Sequence, residues 1–214
     1  KICSQNPLVM GILNITPDSF YDGGQYINLH LIINRIQKMI QEGVDIVDIG
    51  AMSSRPGSHI ISEKEEYNRL FPLLINIKKV FPNLIISIDT YRINIAKDAI
   101  KHGAHIINDI YAGRNEHDIF SVVKKNKTPY VIMHMRGEPN NMQDSIDYQD
   151  FRKELLSFFE NKINQLQKIG HKELILDPGF GFGKTIEQNY QLVNMIPELK
   201  NLNYLYLLVY QENL

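Results

Sequence analysis

Groups able to hold a polar ligand recur in this chain where apolar runs end. Asn14 follows Leu8–Leu13, Asp48 lies near the end of Val44–Ile49, Asp89 follows Leu84–Ile88, and Asn108-Asp109 follows His105–Ile107. His134 follows Tyr130–Met133 and Asp177 follows Leu174–Leu176. Carboxylates and carboxamides accept hydrogen bonds, and a carboxylate can take two parallel bonds from the flat donor edge of a heterocycle. Each Asp also reads as a cap for the helix that follows its strand. The richest segment is Leu13–Gly24, LNITPDSFYDGG. Its Pro17 and Gly23-Gly24 let the chain turn and open. Its Asn14, Asp18 and Asp22 offer oxygens suited to a hydrated Mg²⁺ or to polar ring atoms, and Phe20 and Tyr21 are costly in water unless something covers them. The other reading is a βα loop with its aromatics tucked onto the body of the fold.

These residues need elements to place them. The apolar runs are continuous rather than alternating, as expected of parallel strands covered on both faces, and a further run lies at Tyr204–Val209. Between them Leu29, Ile32, Ile33, Ile36 and Ile40 fall on one helical face, as do Phe151, Leu155, Phe158, Leu166 and Ile169. Gly43, Gly103 and Gly170 stand where left-handed helix caps are expected. Two segments, GVDIVDI from Gly43 and GAHIINDI from Gly103, echo each other. Serial βα units of this length predict an α/β fold, a (β/α)₈ TIM barrel, with an open doubly wound sheet as the alternative. In a barrel the strand ends converge on one face, which would gather the polar residues into a ring.

The chain has 214 residues, a formal net charge of −1 and a pI near 6.7, which predicts one soluble domain over residues 1–214 with a full core. Nothing in it points to nucleic acid or membrane, and a cytoplasmic location is expected. It begins at Lys1 rather than Met, so the extreme N-terminus is expected to be missing. Its single cysteine, Cys3, allows no internal disulfide, and its seven histidines lack zinc-site spacing. No Ser-His or Cys-His pair stands out. GFGFGK at Gly179–Lys184 fits neither the dinucleotide nor the phosphate-loop fingerprint and is read as a tight turn after Asp177.

MGILNITPDSF, the SRPG loop at Ser54–Gly57, SIDTYR, GAHIINDI, VIMHM and LDPGFGFGK stand in the order of the dihydropteroate synthase family, which the chain resembles from Pro7 to about Leu202. The resemblance implies a (β/α)₈ barrel that joins p-aminobenzoate to 6-hydroxymethyl-7,8-dihydropterin diphosphate, releasing pyrophosphate with Mg²⁺ and giving 7,8-dihydropteroate for folate synthesis. By it, Asp89, Asn108 and Asp177 would bind the pterin and Met133 would pack on its face. Asn14 would sit beside the diphosphate and its Mg²⁺. Asp22 and Arg55 would come from two loops that close over the reacting centre, one stabilising cationic character and the other holding the anion. Phe20, Ser54, Pro56 and Phe182 would line the p-aminobenzoate pocket. Catalysis would be positioning and charge stabilisation without a protein nucleophile.

The chain departs from the family pattern in places. Met52 stands where the family has Glu, and Ser54 where it has Thr. After the strand that should read PLLVG, the family continues with SRK, whose Lys meets the pterin, and later with an Arg-x-His pair for the diphosphate. Here the sequence reads YLYLLVYQENL from Tyr204. Back-translated with the degenerate third bases chosen to suit and read one frame over, those residues give PLLVGISRKS, most of it fixed by the first two bases of each codon, so a frame-shifted, truncated product lacking the last βα unit is expected, with reduced activity. A homodimer through the late helices is the family habit. A pterin-binding barrel of the methyltransferase type and a non-catalytic pterin-binding remnant are the alternatives.

Overall fold

The computed structural model describes residues 7–15, 21–22, 26–27, 29–52, 60–114, 118–137 and 147–209, with the backbone alone at 21–22 and 26–27. The described chain divides into two compact units, and the division falls between Asn108 and Asp109.

In the first unit, β1 (Met10–Asn14), β4 (Ile46–Gly50), β5 (Ile85–Asp89) and β6 (Ile106–Asp109) pair in that order, all parallel. Two short strands, β2 (Tyr21–Asp22) and β3 (Tyr26–Ile27), pair antiparallel, the first within the segment read as an open loop and the second just after it. Helices α1 (Leu29–Gln41), α2 (Glu63–Val80) and α3 (Ile93–Lys101) alternate with the long strands. The parallel strands end one or two residues later than the apolar runs do, so Asn14, Asp89 and Asn108 belong to the strands themselves. The ladder has no side-chain preference at its last rung, and a polar residue there extends the pairing at no cost.

The second unit carries β7 (Tyr130–Met133), β8 (Leu174–Asp177) and β9 (Leu205–Tyr206), again parallel and in that order. Its helices are α4 (Ile119–Asn126), α5 (Phe151–Lys168), α6 (Ile186–Asn194) and α7 (Ile196–Asn201). Asp150 caps α5 by accepting from the Lys153 N–H, and Thr185 with Gln188 forms a reciprocal capping box on α6.

The core lies between strands and helices. Ile49, Ile86, Ile88, Ile106 and Ile107 are fully buried, as are Ile32 and Ile36 of α1 and Leu155 and Phe159 of α5. Each such aliphatic side chain contributes about 1.5–3 kcal/mol through burial. Two expected helix faces are turned slightly. On α1 the buried stripe is Ile32, Ile36 and Met39, while Ile33 and Ile40 are half-buried and Leu29 is exposed. On α5 the stripe runs Phe151, Leu155, Phe159, Ile163 and Leu166, so Phe159 takes the core place expected for Phe158. Phe159 points along the middle of this stripe, between Leu155 and Ile163 and beside Leu166, whereas Phe158 falls about 100° from Phe159, off the stripe's edge. Gly43, Gly103 and Gly170 all have positive φ, as the cap reading requires.

Candidate functional site

At the ends of the first unit's strands, register places four residues on one level. Asn14 pairs with Gly50, Gly50 with Asp89, and Asp89 with Asn108. Register partners in a parallel sheet project to the same face, so Asn14, Asp89 and Asn108 share one face with Gly50 between the first two. Gly50 is there for space. A Cβ added to it would lie 3.2 Å from both Asn14 Oδ1 and Asp89 Oδ2, so any larger residue would push these oxygens aside.

One step back on the same face stands Asp48, buried at 4% exposure and level with Ser87 of β5. Its Oδ2 accepts a hydrogen bond of 3.1 Å from Asn108 Nδ2, across sixty positions of sequence. Burial pushes the Asp48 carboxyl above its ordinary range, with the Ser87 and Asn108 side chains pulling the other way. Asn108 Oδ1 is buried and has no hydrogen-bond partner among the described residues. A buried acceptor left open in this way costs stability unless another group occupies it.

Outside the first unit's site face, the segments flanking residues 53–59 are tied to helices. Arg69 of α2 donates to the Ala51 carbonyl and pairs with Glu65. Arg92 donates to the Ile61 carbonyl and, at 2.6 Å, to Glu66 Oε2, whose other oxygen accepts from the Thr90 hydroxyl at 2.7 Å. Burial raises the Glu66 carboxyl, opposed by Thr90 and Arg92.

In the second unit Met133 and Asp177 are register partners at the ends of β7 and β8, both buried. They therefore present a thioether and a carboxylate side by side on one face. Asp177 Oδ1 accepts from the Gly179 N–H at 2.8 Å, fixing the turn that follows β8. The GFGFGK turn is held from inside by Lys184. Its ammonium donates to the carbonyls of His134 at 3.0 Å, Gly179 at 2.8 Å and Phe182 at 2.9 Å. Burial pushes this ammonium down to about 7, against the pull of the Asp177 carboxylate. Phe182 is half-buried, and its backbone N–H donates to Gly179 O at 3.1 Å. Lys184 knots together the end of β7 and the turn after β8, a role that no sequence spacing announces.

Two members of the expected polar ring do not join it. Asp109 is fully buried and binds the Tyr130 hydroxyl and the N–H groups of Tyr111 and Gly113. Adjacent strand residues face opposite ways, so a strand that offers Asn108 to one face must give Asp109 to the other. Its carboxyl is raised by burial against those donors and against Lys162, whose ammonium donates to the Ala112 carbonyl. His134 packs edge-on against Phe158 at 5.0 Å between ring centres. Burial first, and then Lys184 and Arg114, holds it well below its ordinary range, which keeps the imidazole neutral.

Of the remaining sequence-predicted site residues, Phe20, Ser54, Arg55 and Pro56 lie outside the described residues. Asp22 is placed by its backbone alone, in β2 opposite Tyr26. Among the described residues no group of three or more His, Cys, Asp or Glu side chains could hold a metal ion. A magnesium ion that shares its coordination with substrate phosphates and water needs only one or two protein oxygens. Asn14 Oδ1, beside Gly50 at the end of β1, is a hard oxygen of the kind such an ion takes.

The family model described as pterin binding enzyme matches residues 10–210 of the chain. The dihydropteroate synthase of Synechocystis sp. is 42% identical over 198 residues, covering 92% of this chain and 68% of that protein. Among solved structures, the dihydropteroate synthase from Clostridium difficile in the presence of pteroic acid superposes with a TM-score of 0.86 at 36% identity, covering 94% of this chain and 75% of that one. The Xanthomonas albilineans dihydropteroate synthase with 4-aminobenzoic acid gives 0.85 at 34% identity, covering 94% and 72%. The fold class is therefore α/β of the (β/α)₈ barrel type, of which these residues span all but the last βα unit.

Proposed function

Because the chain belongs to the pterin-binding enzymes, among the dihydropteroate synthases, we propose that it condenses 6-hydroxymethyl-7,8-dihydropterin diphosphate with p-aminobenzoate, giving 7,8-dihydropteroate and pyrophosphate in folate biosynthesis. The observation that carries this reading is the level row Asn14, Gly50, Asp89 and Asn108, set by register on one face of a sheet whose family is known. Asp89, Asn108 and Asp177 bind the pterin through acceptors matched to its amino and ring N–H donors. Met133 lies against its face.

The reaction is a displacement at the pterin methylene. The C–O bond to the diphosphate breaks ahead of attack, the pyrophosphate leaves with the electron pair, and the arylamine nitrogen forms the new C–N bond and gives up a proton. Asp22 stabilises the cationic methylene and Arg55 holds the departing anion. Phe20, Ser54, Pro56 and Phe182 line the p-aminobenzoate side. Asn14 holds Mg²⁺, which would neutralise charge on the diphosphate when bound. The residues' own contribution is orientation and exclusion of water, since no step calls for a protein nucleophile. A cytoplasmic location and a homodimer complete the proposal; no described helix is long and apolar enough to cross a membrane.

The chain is expected to bind the dihydropterin diphosphate and to release pyrophosphate from it when p-aminobenzoate is present. Calorimetry with the pterin diphosphate, beside a coupled assay for pyrophosphate release with p-aminobenzoate, tests both parts. Absence of pterin binding overturns the function. Pterin binding without pyrophosphate release overturns the condensation.

A further inference from the structure

Asp48 is a carboxylate that the function described so far does not use, although it lies on the site face. It is buried, its Oδ2 takes the Asn108 Nδ2 hydrogen bond at 3.1 Å, and it stands two residues before Gly50 on the same strand. The two ends of a carboxamide are close in size and opposite in polarity, so an isolated Asn can present either an acceptor or a donor to a ligand. A carboxylate removes that freedom, because it accepts only from the NH₂ end. With Nδ2 held by Asp48, Asn108 Oδ1 is the end left over, and it is buried without a partner among the described residues. The neighbour on the same level is Asp89, a second acceptor. A ligand that fits Asn108 Oδ1 must bring it an N–H donor.

We propose that Asp48 is a positioning residue that locks the Asn108 carboxamide with its oxygen toward the ligand, and so sets the donor-bearing edge of the heterocycle as the edge recognised here. This rests on the pterin reading of the site and adds to it the reason that Asn108 acts as an acceptor. Asp48 Oδ1 is likewise buried without a hydrogen-bond partner among the described residues, and the double variant separates action through Asn108 from direct contact with the ligand. Its strand neighbour Ser87, fully buried and level with it, belongs to the same polar strip.

The test is a double-mutant cycle in the full chain, read as calorimetric affinity for 6-hydroxymethyl-7,8-dihydropterin diphosphate with melting temperature followed in parallel. Asp48→Ala and Asn108→Ala should each weaken binding on the order of tenfold or more, since each leaves a buried polar group unpaired. The double variant should bind within about twofold of Asn108→Ala alone, because a residue that acts only through Asn108 has nothing left to act on. Asp48→Asn keeps the volume but can donate as well as accept, so it allows the Asn108 amide to turn over. It should weaken binding too, and it replaces Asp48→Ala in the cycle if that variant does not fold. Losses that multiply in the double variant, or an Asp48 variant with unchanged affinity, overturn the proposal. If the unmodified chain fails to bind the pterin, the functional reading itself falls.

Discussion

Gly179 and Gly170 have nearly the same backbone and different surroundings, which separates strain from crowding. Their φ values are +70° and +82°, in the left-handed region that an L side chain enters at a cost of about 1–2 kcal/mol. A Cβ on Gly170 would meet nothing within 4 Å, so Gly170→Ala should cost that strain and little more. A Cβ on Gly179 would lie 2.1 Å from the His134 carbonyl oxygen, which is backbone and cannot swing away. Relieving the overlap means moving the end of β7 or the turn after β8, and overpacking of this kind adds roughly 1–3 kcal/mol. The sum for Gly179→Ala is about 2–5 kcal/mol, a drop in melting temperature of several degrees more than for Gly170→Ala at this chain length. Urea titrations of the two variants give the difference directly. The pterin affinity should follow it, because the Gly179 N–H holds Asp177 Oδ1 at 2.8 Å and Lys184 binds the Gly179 carbonyl. Gly170 touches neither. Equal destabilisation of the two variants, or equal pterin affinity, would refute the reasoning that the turn after β8 is pressed against β7.

Other perturbations test the buried charges. Arg92→Ala leaves Glu66, 1% exposed, with the Thr90 hydroxyl as its side-chain donor among the described residues, and should cost about 3–5 kcal/mol of unfolding free energy, part of it recovered by adding Glu66→Gln; a loss below about 1 kcal/mol would contradict the buried pairing. Asp109 has its carboxyl raised above the ordinary 3.8, so the folded chain binds that proton more tightly than the unfolded one, and its contribution to stability is present below 3.8 and lost as pH rises through the raised value. Denaturation of the unmodified chain beside Asp109→Asn, between about pH 4 and 7, should show the unmodified chain losing ground as pH rises. A gain instead would mean that Tyr130 and the two N–H donors outweigh the burial. Lys184→Met should lower pterin affinity as well as stability, since three carbonyls at the ends of β7 and the GFGFGK turn lose their donor; unchanged affinity in a titration with the pterin diphosphate would separate the turn from the site.

The sequence by itself determined the elements and the kind of site. Short continuous Ile, Val and Leu runs bounded by glycines and polar residues suit strands covered on both faces, glycines after the amphipathic stretches mark helix ends, and the strand-end motifs carry acceptors in an order that identifies the family. That much is local chemistry and spacing. Which of two neighbours enters the site is another matter. Asn108 and Asp109 are adjacent and both polar, and Phe158 and Phe159 are adjacent and identical, so composition cannot rank them. The pleat sends Asn108 to the site face and Asp109 into a buried network with Tyr130, and helical rotation puts Phe159 rather than Phe158 into the core. Asp48 shows the same limit most clearly. Its partner Asn108 is sixty residues away, and the two meet because the registers of β4 on β5 and of β5 on β6 bring their side chains to one face. Register is set by the pairing of whole strands and the burial of their apolar sets, a cooperative property that no single motif contains.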